Sequence, residues 1–331
     1  MATVLVTGGA GFIGSHLVRA LVREAHTVRV LDNFSTGYMD NLDEVKHRIV
    51  LIDGDIRSRD IVRHAVDGVD VIFHEAALPS VPRSMKDPVT TTEVNVNGTL
   101  NLLEAARQHK VRRVVIASSS SVYGDSPDPI RREGAVLSPL SPYALSKLIT
   151  ERYGALYSKV FRVETVALRY FNVFGPRQDP ASQYSAVIPK FVAALMAGET
   201  PVIYGDGEQF GDFSYVDIVV QANLLAARVD GISGRAFNVG CSETLTVNQL
   251  YRLIAEQMDV EVPPRYEPSR PGDVKLSRAD IALASEHLGY VPTVDVHEGL
   301  RRTVAWYRSP EGLRRLPRKE SAPRQPIGVH A

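Results

Sequence analysis

The chain has 331 residues, 44% of them hydrophobic, with 38 Lys+Arg set against 38 Asp+Glu. That balance excludes the strongly basic surface that nucleic acid or an anionic membrane selects, and a single cysteine, Cys241, excludes an internal disulfide and any multi-cysteine metal site. No apolar run is long enough to span a bilayer, and the N-terminus runs into an apolar strand without the regions of a signal peptide, so a cytoplasmic protein without a metal is expected. In chain order, TVLVTGG reads as a buried strand ending in glycines, SHLVRALVREA as a helix, and TVRVLD, IVLIDGD and DVIFHEAA as further strands. GTLNLLEAARQH is helical, RRVVIASSS a fifth strand and TVALRYFNV a sixth, with a helix from SPYALSK between these two. Strands that lack polar alternation, interleaved with helices, predict an α/β fold: a Rossmann-type doubly wound parallel sheet covered on both faces.

After about residue 173 the pattern loosens. AVIPKFVAALMAG, VDIVVQANLLAA and TVNQLYRLIAEQM are helical, the last capped by Thr246, and RAFNVG is strand-like. The expected organisation is a sheet domain over 1–172 and about 214–239, with a smaller lobe over about 173–213 and 240–308. Residues 309–331, rich in Pro and Arg, read as a disordered tail.

Three stretches carry chemistry. TGGAGFIGSH places Gly8, Gly11 and Gly14 between the first strand and the first helix, where glycines allow a pyrophosphate close to the backbone and the helix N-terminus favours its charge. Asp32, ending the second strand, suits the adenosine ribose hydroxyls and repels a 2′-phosphate, which favours NAD over NADP. In SPYALSK, Ser141 reads as an N-cap and Pro142 as the first helical residue, so Tyr143 and Lys147 share a helix face. A nearby ammonium lowers a phenol's pKa by favouring the phenolate. By itself the pair reads better as a solvated surface pair. ASSSSVYG adds a serine cluster at the carboxyl edge of the sheet.

With VTGGAGFIGSH, LDNFSTG, GDI, HEAALPSVPRS, SSSSVYG, SPYALSK, LRYFNVFGP, the GDG-to-DFSYVD segment and RPGDV in order, residues 2 to about 307 resemble an extended short-chain dehydrogenase/reductase, and more narrowly the nucleotide-sugar 4-epimerases. The resemblance implies Ser119, Tyr143 and Lys147 as the catalytic group and a tightly held, recycled NAD. For that cofactor it implies Gly8, Gly11, Phe12, Ile13 and Gly14, then Asp32, Asn33, Ser35, Thr36 and Gly37. Asp55, Ile56, Ala76, Ala77, Asn95, Tyr143, Lys147 and Tyr170 complete that set.

For a UDP-sugar it implies Ser80, Arg83, Ser119, Ser120, Ser121, Tyr143, Asn172, Ala186, Val187, Lys190, Tyr204, Arg270, Asp273 and Ser277. Arg83 reads equally as a surface charge, Asn172 as a strand end and Asp273 as a solvent turn. In this scheme Lys147 holds the nicotinamide ribose, Tyr143 takes the 4-OH proton, and Ser119 orients that hydroxyl. The keto sugar turns and is reduced on its other face.

Ser120 and Ser121 stand where 4,6-dehydratases carry an Asp-Glu pair, and the glutamate usual in the related decarboxylases is missing from this stretch, which favours epimerisation. Ser277, where narrow-pocket relatives carry tyrosine, favours a UDP-GlcNAc/GalNAc pair, alone or with UDP-glucose/galactose. A UDP-glucuronate epimerase ranks lower because Asp179 replaces an arginine suited to the carboxylate. A dehydratase, another nucleotide-sugar oxidoreductase and a non-catalytic NAD-binding regulator stay open. Gly211 replaces the family's diphosphate-binding arginine, with Lys190 and Arg177 as substitute cations. The resemblance also implies a homodimer through helices near 93–109 and 142–160.

Overall fold

The computed structural model describes residues 1–180, 187–269 and 276–316. Its centre is a seven-stranded, wholly parallel sheet. The strand order across it is Arg235–Val239, Glu164–Tyr170, Arg113–Ser119, Val71–His74, Thr3–Thr7, Thr27–Asp32 and Ile49–Asp53. Alternate side chains feed two cores. Val4 and Val6 join one cluster and Leu5 the other; Val115 and Ala117 join the first, Val114 and Ile116 the second. Helices cover both faces, so the two-residue strand period shows as two kinds of apolar neighbour rather than as polar alternation. Fully burying each Leu or Val contributes about 1.5–3 kcal/mol.

The first strand lies between the second and the fourth in chain order. There the winding reverses, and such a switch point opens a crevice at the strands' carboxyl ends. RAFNVG returns as the outermost strand, pairing from Arg235↔Val166 to Val239↔Tyr170. A smaller four-stranded sheet joins Leu245–Thr246, Phe210–Gly211, Leu276–Ala279 and Ile130–Arg131. The last of these strands comes from the chain's first half, so the smaller sheet is not built from the later residues alone.

The helix Pro142–Phe161 starts as the sequence predicts. Ser141 Oγ accepts from the Ala144 amide at 3.1 Å, Pro142 opens the helix, and Arg162 ends it in a left-handed conformation. Gly154 lets it lie close to the sheet, since a Cβ there would come within 2.9 Å of Ile116. Thr246 forms a full capping box with Gln249 at the start of Val247–Met258.

The expected tail is corrected in part. Pro310–Leu313 is a helix capped by Ser309, and it docks through an Arg177–Glu311 ion pair (3.2 Å) and through Arg315 over the Tyr38 ring. Two opposite charges and a cation–π contact hold what composition alone marks as disordered. Residues 317–331 lie outside the described residues. Among the described residues, no helix is long and apolar enough to cross a membrane.

Candidate active site

A cavity of about 230 Å³ opens at the switch point. Gly8 has φ +70° and donates its amide to Leu31 O; a Cβ on it would fall 2.7 Å from the Ala76 amide nitrogen. A Cβ on Gly14 would lie 2.1 Å from Gly8 O. Only glycine permits this bend. The helix Phe12–Arg23 begins here with no side-chain cap and no acidic residue in its first turn. Its first amides are therefore left for an anion, as a dinucleotide diphosphate requires.

At one end, Asp32 is buried and accepts amide hydrogens from Ala10 (2.9 Å) and Phe34 (2.8 Å). Burial raises its pKa, and those two amides oppose the rise. Each carboxylate oxygen has a second lone pair for a ribose hydroxyl. Asp55 is tied to Arg57 and Asn33, each at 2.8 Å, and Arg57 above all lowers its carboxyl to about 2. Arg57 was not marked in the sequence; only its place two residues after Asp55 hints at it.

Gly8, Gly11, Phe12, Ile13, Gly14, Asp32, Asn33, Ser35, Thr36, Asp55, Ile56, Ala76, Ala77, Tyr143, Lys147 and Tyr170 all line the cavity. Gly37 and Asn95 stand behind it. Gly37 abuts the Ala10 carbonyl, and Asn95 fixes the loop wall by accepting from the Leu78 amide and donating to Ser146 Oγ.

At the other end, Ser119 closes the strand Arg113–Ser119 and stands beside the Tyr143 phenol. The Ser121 amide donates to Ser119 Oγ at 3.1 Å, while Ser121 Oγ is buried with no partner. Ser120 and Ser121 share the 3-10 turn Ser120–Tyr123. Lys147 Nζ donates to Ala117 O at 2.8 Å. Enclosure raises the Tyr143 pKa, which the Ser119 hydroxyl opposes, and the negative Glu75 adds to the rise. Lys147, whose ammonium donates one hydrogen bond to the Ala117 carbonyl, is not among the groups that lower Tyr143 in the chain alone. Enclosure likewise lowers Lys147 and raises Glu75.

Glu75 was also missed, although a carboxylate in HEAA, just past a strand at the switch point, is a legible signal. Its Oε1 accepts from Tyr170 OH at 2.7 Å, and Asn223 Nδ2 donates to Tyr170 OH at 2.7 Å.

The expected sugar contacts are spread along the open side. Asn172 has φ +28° and donates to Asp212 O at 2.9 Å. Gly211 and Ser277 are register partners on neighbouring strands, so two small residues stand side by side. Ser80 caps the short helix Val81–Lys86, on which Arg83 is half-buried. Val187 and Lys190 lie on Val187–Met196, and Tyr204 ends Val202–Tyr204. Ala186, Arg270 and Asp273 lie outside the described residues.

One expectation changes. Arg177 is paired with Glu311 and Glu44, so it is not the spare cation for a diphosphate. Asp179 accepts from Tyr38 OH at 2.8 Å and keeps its negative charge.

The comparisons with known proteins agree with this geometry. The profile described as "NAD dependent epimerase/dehydratase family" matches residues 4–240. The UDP-glucose 4-epimerase of Mycolicibacterium smegmatis is 39% identical, covering 92% of this chain and 98% of that protein. A UDP-N-acetylglucosamine 4-epimerase from Methanobrevibacter ruminantium, solved with UDP-N-acetylmuramic acid, superposes with a TM-score of 0.89 at 40% identity, over 92% and 98% of the two chains. The UDP-glucose 4-epimerase of Thermus thermophilus, solved with NAD, gives 0.85 at 36% identity, over 93% and 99%. A glycine-lined crevice at the switch point, a buried Asp32 and a Ser119–Tyr143–Lys147 group in one chain, together with these matches, place the protein in the NAD dependent epimerase/dehydratase family.

Proposed function

We propose that this chain is an NAD-dependent UDP-sugar 4-epimerase that inverts C4 through a transient 4-keto sugar, acting on UDP-GlcNAc/GalNAc, UDP-glucose/galactose or both pairs. The carrying observation is that Tyr143 and Lys147 line one cavity with the glycine loop and Asp32, with Ser119 beside the Tyr143 phenol. Bound NAD supplies the reversible electron-pair acceptor that such an inversion needs. Gly8, Gly11 and Gly14 would hold its diphosphate and Asp32 its adenosine ribose. Tyr143 Oη takes the C4 hydroxyl proton and later returns it; Ser119 fixes the direction of that transfer. A cation close to Tyr143 is what would bring its phenol down from the raised value it has in the chain alone.

The serines at 120 and 121 supply no second acid or base for elimination, which supports inversion over dehydration. The small Gly211–Ser277 corner beside Asn172 supports a substrate with bulk at C2. Lys190, Arg83, Val187 and Tyr204 are proposed to flank that substrate.

A homodimer is part of the same proposal. Leu145 and Leu156 are each 47% exposed, Val160 56% and Phe161 46%, on the outer side of the helix that bears Tyr143. A second copy would cover this apolar face. A cytoplasmic setting accommodates the lone, half-buried Cys241.

The test is incubation of the protein and NAD with UDP-GlcNAc, UDP-glucose and UDP-glucuronate separately, followed by NMR of the products. A C4-inverted product of unchanged mass is expected, with the uronate slowest. Loss of water or accumulation of NADH would overturn the assignment.

A further inference from the structure

Glu75 is the one carboxylate at the end of the cavity that holds Tyr143, Lys147 and Tyr170; Asp32 and Asp55 lie at the other end, past the second and third strands. Its backbone is fixed by the Glu75 amide donating to Thr7 O at 3.1 Å. Its side chain is aimed by a buried relay, Asn223 to Tyr170 to Glu75 Oε1, with both links at 2.7 Å. Among the described residues, no cation pairs directly with it, although Lys147 lies within electrostatic reach. Burial raises the Glu75 carboxyl to about 7, so a cation arriving beside it is what favours its charged form. The adenosine end already has Asp32 to take the ribose, so the cofactor's nicotinamide half falls at the Glu75 end. That ring is cationic when oxidised and neutral when reduced. Lys147, standing alone there, would favour the neutral, reduced form.

We propose that Glu75, aimed by Tyr170 and Asn223, is a specificity residue for the oxidised cofactor, offsetting Lys147 so that the resting protein holds NAD rather than NADH. The proposal rests on the reading of this cavity as the NAD site. It does not require that the sugar be identified. An enzyme that regenerates its own cofactor gains from it directly, because a protein left holding NADH without the keto sugar is idle.

The test compares affinities for the two dinucleotides. The full chain is stripped of bound nucleotide, and NAD and NADH are titrated separately, by calorimetry and by NADH fluorescence, with no sugar present. Glu75→Gln keeps an oxygen to accept from Tyr170 while removing the charge. A unit charge facing a cation across a few ångströms of protein predicts a shift of the NADH:NAD affinity ratio towards NADH by about tenfold or more. Tyr170→Phe leaves the carboxyl in place without the hydrogen bond that favours its charged form, and is expected to move the ratio in the same direction by less than Glu75→Gln does. An unchanged ratio in Glu75→Gln, with both dinucleotides still binding, would overturn the role of Glu75 and leave the NAD site standing. Binding of neither dinucleotide to the unaltered chain would overturn both.

Discussion

Gly211→Arg restores a cation where the family carries one, and the structure sets its effect. The strand Phe210–Gly211 has ordinary backbone, so an arginine there meets no torsional barrier. Its Cβ, however, would lie 2.8 Å from Asn172 Nδ2, which is donating to Asp212 O. The Asn172 amide must swing away, losing a hydrogen bond that contributes about 0.5–1.5 kcal/mol. A charge-assisted contact from the new guanidinium to a diphosphate is worth about 1.5–3 kcal/mol. The lost hydrogen bond is absent from the free and the UDP-bound variant alike, so it lowers stability and leaves the binding gain at about 1.5–3 kcal/mol; UDP should bind at least about tenfold more tightly. Calorimetric titration of UDP into the NAD-loaded protein measures this. No tightening, with the fold retained, would refute the reasoning and place the diphosphate away from Gly211.

Other outcomes follow from single contacts. His74 is buried; Nε2–H donates to Thr99 Oγ1, and Nδ1 accepts from Thr7 Oγ1. Burial, with Lys147 nearby, lowers its pKa to about 3 from 6.5. The unfolded chain therefore takes up this proton first: the contribution of His74 to stability is full above about pH 6.5 and is lost as pH falls towards 3. His74→Asn should be less stable at pH 7 by about 1–2 kcal/mol, yet lose about one proton's worth of acid sensitivity in urea midpoints measured between pH 6.5 and 4. An unaltered acid slope would contradict the neutral, buried assignment. Gly14→Ala pushes a methyl onto Gly8 O and should weaken NAD at least about tenfold, read by titration with the circular dichroism unchanged; near-native affinity would remove the loop from the site. Leu156→Glu charges the exposed apolar face and should turn a dimer into a monomer in sedimentation, whereas an unchanged mass would put the contact elsewhere.

The sheet was legible because its strands are apolar on both faces and several run into a glycine or an acid. Val4, Leu5 and Val6 carry that pattern in three residues. The glycine loop and the capped helix with Tyr143 and Lys147 were legible for a local reason: turn chemistry and i,i+4 spacing depend on neighbours in sequence. Contacts made across the chain were not. Glu75 matters through Tyr170 and Asn223, 95 and 148 residues later. Ile130–Arg131 joins the smaller sheet by pairing with Leu276–Ala279, and no local pattern marks so short a strand. The docking of Pro310–Leu313 depends on Arg177, Tyr38 and Asn41, while its own residues read as a polar tail. The commitment of Lys147 to Ala117 O is similarly a product of the assembled sheet edge.

The central claim is that C4 is oxidised and reduced within one pocket, with Tyr143 moving the proton. It is tested most directly with a UDP-sugar deuterated at C4, converted in ordinary water by the NAD-loaded protein and followed by NMR and mass spectrometry. The account predicts a C4-inverted product that retains the deuterium at C4, and at least about a hundredfold loss of that conversion in Tyr143→Phe. Inversion with solvent hydrogen at C4, or full conversion by Tyr143→Phe, would contradict it.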